Sequence, residues 1–426
     1  MTRNRNAIGL LALSVIFACT DATSPPATAR VDGPMAAELS SAPDTWLKDY
    51  VSMGTSVSMG YASEGVWSGS QVNAWPAQLA AMAGYSMRLP LIAFPGCRSP
   101  FKAPLSSGIR ESGEPVTMAD SLLGCAPHEA GVTLPPANVA INAARTIHAL
   151  TTTPENTTDK GNKALYARVL PPNTTQVLAM QMQKPALVSV ELGANEMLGV
   201  RSGAVVPGVT YVPVSAWRPT YDEVTARARA ATSGGGVLVG LIKDVGSFPA
   251  FRTGAEFWAD RAMLLAAFHV QVAADCDQNT DLQLVPIKIP TAVANGLGRR
   301  QAQLPPYPMS CAPGPRGTQD LVLDAGERKI VQALLNEMNA HIKRRAAQLG
   351  FAHFELEALY GLPGLKPPFS SVALMTTTSP YGPYISLDGF HPAALGQSVL
   401  AQAAAQALNT TYGMQLNMLS LVARTR

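Results

Sequence analysis

The stretch QKPALVSVELGANEML, residues 183–198, carries an apolar run from Ala186 to Leu192 that stops at Gly193 and leads into Asn195. A run of that length without alternation marks a strand buried on both faces, the habit of parallel sheets. Two further segments read the same way: DYVSMG (49–54), which enters a glycine turn, and GVLVGLIKDVG (236–246). FAHFELEAL (351–359) is a shorter candidate. Helical patterns lie between them. PAQLAAMAG (76–84) closes on Gly84, and Gly234–Gly236 are expected to stop YDEVTARARAAT (221–232). The clearest helix is 324–350, with Asp324 as cap, Glu327 completing a capping box and Gly350 at the end. Strands alternating with helices predict an α/β fold, a three-layer sandwich with a central parallel sheet, helices on both faces and loop insertions.

The 426 residues are 47% hydrophobic and 14% charged, with 35 Gly and 34 Pro, a globular composition rich in loops. Formal net charge is +3, and no basic run exceeds Lys343-Arg344-Arg345, so no nucleic-acid partner is expected. At the N-terminus, Arg3 and Arg5 precede an apolar run too short to span a bilayer and suited to a signal peptide over residues 1–18. The run ends in Ile16-Phe17-Ala18-Cys19, which resembles the bacterial lipobox. The expectation is acylation of Cys19 and anchoring to the cell envelope, with ordinary secretion as the alternative. Residues 19–45, rich in Ser, Thr, Pro and Ala, predict a flexible tether, and 46–426 the folded domain.

Four further cysteines, Cys97, Cys125, Cys276 and Cys311, suggest disulfides in an exported protein. Three connectivities are possible, and the sequence-local pairs Cys97–Cys125 and Cys276–Cys311 are preferred. The Cys-bounded, Pro/Gly-rich segment near 276–320 reads as an insertion. Within it, DCDQNTD (275–281) has alternating oxygens, but Thr280 and Pro286 stand where a calcium loop needs Gly and Glu. There is no HExxH, and the histidines are scattered, so no metal and no cofactor is expected.

In open α/β sheets the site lies beyond the carboxyl ends of the strands. Three such places carry polar residues in glycine turns: Gly54-Thr55-Ser56, Gly193-Ala194-Asn195, and Asp388-Gly389-Phe390-His391. Singly, these are turn formers or helix caps. In that order they supply a nucleophile, an amide donor and an acid–base pair. Here the chain resembles the SGNH, or GDSL-type, esterases and lipases. Gly54-Thr55-Ser56-Val57 stands where that family has Gly-Asp-Ser-Leu. Gly193-Ala194-Asn195-Glu196 stands for its Gly-x-Asn-Asp, and Asp388-Gly389-Phe390-His391-Pro392 for its Asp-x-x-His-Pro. GYASEGVWSGSQVNAWPAQLA (60–80) and HPAALGQSVLAQAAAQALNTTYG (391–413) extend the likeness to an exported bacterial branch, over about residues 46–415.

The resemblance implies a flavodoxin-like sandwich and cleavage of carboxylic esters of lipids or of acylated small molecules and polymers. Ser56 is the implied nucleophile, His391 the base and Asp388 its partner. The implied oxyanion donors are the Ser56 N–H, the Asn195 amide and one more backbone N–H. Ala143, in NVAINAARTIHAL (138–150), fits that last position provided its dihedrals are not left-handed, and Gly96 competes. Thr55 and Glu196 replace two acids of the family pattern. The alternatives are a polysaccharide O-acetyl esterase and a non-catalytic lipoprotein that keeps the fold. The nucleophile elbow of α/β-hydrolases is disfavoured, because Ser56-Val57-Ser58-Met59-Gly60 lacks its first glycine.

Overall fold

The computed structural model describes residues 42–417. The predicted signal segment, Cys19 and most of the tether lie outside them. The described residues open with the 3-10 helix Ala42–Asp49.

Four strands form a parallel sheet in the order β1 (Tyr50–Gly54), β2 (Leu187–Glu191), β3 (Gly235–Gly240) and β9 (Ala352–Glu355). The segment 137–141 adds an outer edge beside β1, where Ser52 donates its N–H to Ala137 O and accepts from Val139 at 2.9 and 2.8 Å. The first crossover therefore goes outward and the later ones go the other way, which is the flavodoxin-like order. Every residue of β1, β2 and β3 is buried, as the unbroken apolar runs required. Ser189, polar within such a run, is satisfied by Tyr50 Oη at 2.7 Å and Ser52 Oγ at 2.9 Å.

One face of the sheet is covered by the helices Trp75–Met82 and Ala394–Tyr412. The other carries Gln176–Met182, Val214–Ala231 and Ala325–Leu349. Asp324 and Glu327 form the expected capping box on the last of these. The glycine stop predicted at 234–236 is corrected: the Val214–Ala231 helix ends before it, and Gly235 and Gly236 open β3. A Cβ on Gly236 would lie 2.5 Å from the Phe351 ring, so this strand start tolerates no side chain.

Between β3 and β9 the chain builds a subsidiary layer. Strands β4 (Phe251–Thr253), β6 (Leu282–Leu284) and β8 (Val322–Leu323) pair antiparallel, while β5 (Val270–Val272) pairs with β7 (Tyr307–Met309) in parallel. The segment read as a loop-rich insertion thus contains strands and the helix Val285–Gln301. Cys276 is bonded to Cys311 there, and Cys97 to Cys125 in the long β1–β2 connection.

Candidate active site

The carboxyl ends of β1 and β2 lie side by side, because their register runs from Tyr50 opposite Leu187 to Gly54 opposite Glu191. The turns that follow them are therefore neighbours. After β1, Ser56 opens the short helix Ser56–Met59, and after β2, Asn195 sits in the 3-10 turn Ala194–Glu196. Ser56, Asn195 and His391 all line one cavity, with Thr55 and Phe390.

His391 is held by Asp388. Its Nδ1 lies 2.9 Å from Asp388 Oδ2, which assigns the proton to Nδ1 and leaves Nε2 as the basic nitrogen. The carboxylate is saturated: Oδ1 accepts the Phe390 and His391 N–H groups, both at 2.8 Å, and Oδ2 accepts the Glu64 N–H at 3.0 Å and the Ser386 hydroxyl at 3.1 Å. Burial raises the cost of the Asp388 charge, but the His391 imidazole and these donors outweigh it and hold its pKa well below the usual carboxylate range. For His391, burial works against protonation, yet the Asp388 charge and hydrogen bond prevail and its pKa is raised. Asp388 is thus more than a helix cap, since Ala393 occupies the cap position of the following helix. Gly389 makes the turn possible: its φ is 77°, and a Cβ would sit 2.9 Å from the Tyr381 ring and 3.0 Å from Ala250.

The turn that carries Ser56 is gripped from four directions. Glu191 Oε2 accepts the N–H groups of Thr55 and Ser58 at 2.9 and 3.2 Å, and the Thr55 hydroxyl donates to the same carboxylate at 2.9 Å. Gln397, on the closing helix, donates to Val57 O at 3.0 Å, and Asn138 donates to Ser58 O at 2.7 Å. Gln176 donates to Gly54 O at 2.9 Å. Ser58, the rival serine, is fully buried and its Oγ accepts the Trp75 indole N–H at 3.1 Å, so it is a packing residue. Ser56 Oγ makes no hydrogen bond to another described residue.

The N–H of Ser56, the N–H of Ala143 and the second hydrogen of the Asn195 amide, whose first goes to Ala144 O at 3.0 Å, meet no acceptor among the described residues. Ala143 is not a lining residue of the cavity. It lies in the chain between Ile141, whose N–H donates to Gly54 O at 3.1 Å, and Ala144. The condition set for Ala143 fails, because its φ is 59°, in the left-handed region that favours glycine. Such strain persists only where the surroundings fix it. Gly96 drops out as the competitor, since its N–H is spent on Ala93 O at 2.9 Å.

The two departures from the family pattern have structural explanations. Thr55 is the residue that engages Glu191, and Glu196 is buried with Oε1 accepting the Thr146 N–H at 2.6 Å. Glu191, Gln176, Gln397 and Asn138 escaped the sequence reading. A glutamate inside the apolar run 186–192 was the one signal available for the first.

No family model matches the chain, and neither does any curated protein. Among solved structures it is similar to the acetylxylan esterase Axe2 of Geobacillus stearothermophilus at 10% identity. That alignment covers 85% of this chain and 96% of the other, with a TM-score of 0.34. An α/β-hydrolase enzyme from the metagenome of Lake Arreo, Spain, aligns at 13% identity over 84% and 94%, with a TM-score of 0.32. Likenesses this loose leave the chemistry to be argued from the site itself.

Proposed function

We propose that this protein is an exported serine hydrolase that cleaves carboxylic esters through Ser56, His391 and Asp388. The observation that carries the reading is the Asp388–His391 pair opening into the same cavity as Ser56 and Asn195, which come from the ends of β1 and β2. The pair itself lies in the turn before the helix Ala394–Tyr412 and not at the third strand end expected.

In this reading Ser56 Oγ attacks the ester carbonyl while His391 Nε2 takes its proton. Asp388 keeps the imidazole in the right tautomer and stabilises its charged form. The carbonyl oxygen, now negative, is met by the free N–H of Ser56 and by the Asn195 amide, which are fixed before reaction and need not reorganise. His391 then protonates the leaving alcohol. Water, activated by the same nitrogen, releases the acid.

The cavity holds about 120 Å³ and is walled by Leu241, Ile242, Phe248, Phe251 and Leu335. That lining suits an apolar acyl chain. An acetyl group would leave most of the wall uncovered, which favours the esterase reading over the polysaccharide O-acetyl esterase. Export and acylation at Cys19 belong to the same proposal and are supported by the leader sequence and by two disulfides.

The test is labelling with a fluorophosphonate and mapping of the modified residue. Modification at Ser56, lost in Ser56→Ala and kept in Ser58→Ala, is expected. Absence of any labelled serine would leave the non-catalytic reading standing.

A further inference from the structure

Arg201 stands at the end of the short 3-10 helix Leu198–Ser202 and lines the same cavity as Ser56 and His391. It is half-buried, and among the described residues it makes no hydrogen bond and no ion pair. Its one recorded contact is with the Phe390 ring, 6.0 Å from the centroid, at the outer limit of a useful cation–π interaction. No carboxylate among the described residues pairs with it: Asp388 is saturated by its donors, Glu64 is 3.8 Å from Arg98, and Glu196 is buried with Oε1 on the Thr146 N–H.

A guanidinium in an apolar cavity is costly unless it meets an anion. Here it also opposes the imidazolium that the proposed mechanism must form, since its charge acts to lower the His391 pKa. A surface arginine resting its stem on apolar atoms would avoid both penalties by turning its head to water. An anionic group on the substrate would remove both, and the planar fork of arginine matches a phosphate or carboxylate.

We propose that Arg201 binds an anionic group of the substrate, so that the ester cleaved is an amphiphile with an apolar acyl chain and a phosphate or carboxylate. The proposal rests on the serine-hydrolase reading and names the substrate class of that site.

The experiment compares matched esters on the full chain: 4-nitrophenyl hexanoate against 4-hexanoyloxy-3-nitrobenzoate, and 1-hexanoylglycerol against its 3-phosphate. The quantity measured is the ratio of kcat/KM for the anionic ester to that for its neutral partner. Arg201→Gln is expected to lower that ratio at least tenfold, with Arg201→Lys between it and wild type. A general loss of folding lowers both members and cancels in the ratio. The carboxylate and phosphate arms separately identify which anion is preferred. Titration of hexyl phosphate against 1-hexanol gives the same comparison without turnover, and wild type should bind the phosphate at least tenfold more tightly. Ratios that Arg201→Gln leaves as they were would overturn the proposal. Selective binding of hexyl phosphate without cleavage of any ester would instead sink the hydrolase reading.

Discussion

Glu191 holds Thr55 at two points: its carboxylate accepts the Thr55 backbone N–H at 2.9 Å and the Thr55 hydroxyl at 2.9 Å. A third bond, from the Ser58 N–H at 3.2 Å, makes this buried side chain a bracket around Ser56. Burial raises the Glu191 pKa, and the donors from Thr55 and Ser58 oppose that shift. Glu191 touches no reacting atom and is therefore a positioning residue. Glu191→Ala should cost about 2–5 kcal/mol of stability by leaving two buried N–H groups unpaired. It should also lower kcat about a hundredfold by misplacing Ser56, with KM little changed. Glu191→Gln, which keeps one acceptor oxygen, should recover part of both. A rise in KM with kcat intact would argue against positioning.

The His391–Asp388 pair sets the pH profile. The base must be neutral, so kcat/KM should rise with pH through an apparent pKa above the ordinary imidazole value of about 6.5. Asp388→Asn removes the charge that raises it, moving this limb to lower pH and reducing the plateau about 10³–10⁴-fold. Stability follows the same linkage. The raised His391 pKa stabilises fully below the unfolded value and is lost as pH rises through the folded one. The lowered Asp388 pKa stabilises above its unfolded value and is lost as pH falls through the folded one. The stability gap between wild type and Asp388→Asn should therefore be widest between about pH 4 and 6.5. A gap independent of pH would contradict the coupling.

Asn195→Ala should lower kcat about 10²–10³-fold with KM nearly constant, because in the proposed mechanism its free amide hydrogen meets charge present only in the transition state. At Ala143, glycine should be tolerated within about 1 kcal/mol, since relief of the left-handed strain offsets the entropy of the unfolded chain. Ala143→Val should reduce Tm, since a β-branched side chain adds to the left-handed strain. An equally stable Ala143→Val variant would contradict that strain.

The Cys276–Cys311 bond closes a loop with a sequence separation of 35 between two fully buried cysteines. Replacing both with serine should cost about 3–4 kcal/mol, measured as a fall in urea midpoint. Reduction of the wild type should reproduce the shift.

Cys19→Ser should move the protein from the membrane fraction to the soluble one, as expected for loss of an acyl anchor. Unchanged fractionation after cell lysis would leave only ordinary secretion or a different anchor.

The sequence by itself determined the parts whose information is local. Unbroken apolar runs require burial on both faces, and β1, β2 and β3 have it. An Asp three residues before a His reaches it within one turn, given a glycine between them, and Asp388 and His391 meet at 2.9 Å. Of the three connectivities the sequence allowed, the preferred local pairs Cys97–Cys125 and Cys276–Cys311 are the ones formed. Tertiary structure alone decided what depends on register and crossover. Which carboxylate would hold Thr55, which glutamine would reach Val57, and which serine would face an indole instead of the cavity are contacts between distant parts of the chain. No local pattern encodes them, because each is fixed by which strand ends the sheet order brings together. The left-handed backbone of Ala143 belongs with these: alanine does not ask for that conformation, and only the packed edge beside β1 imposes it.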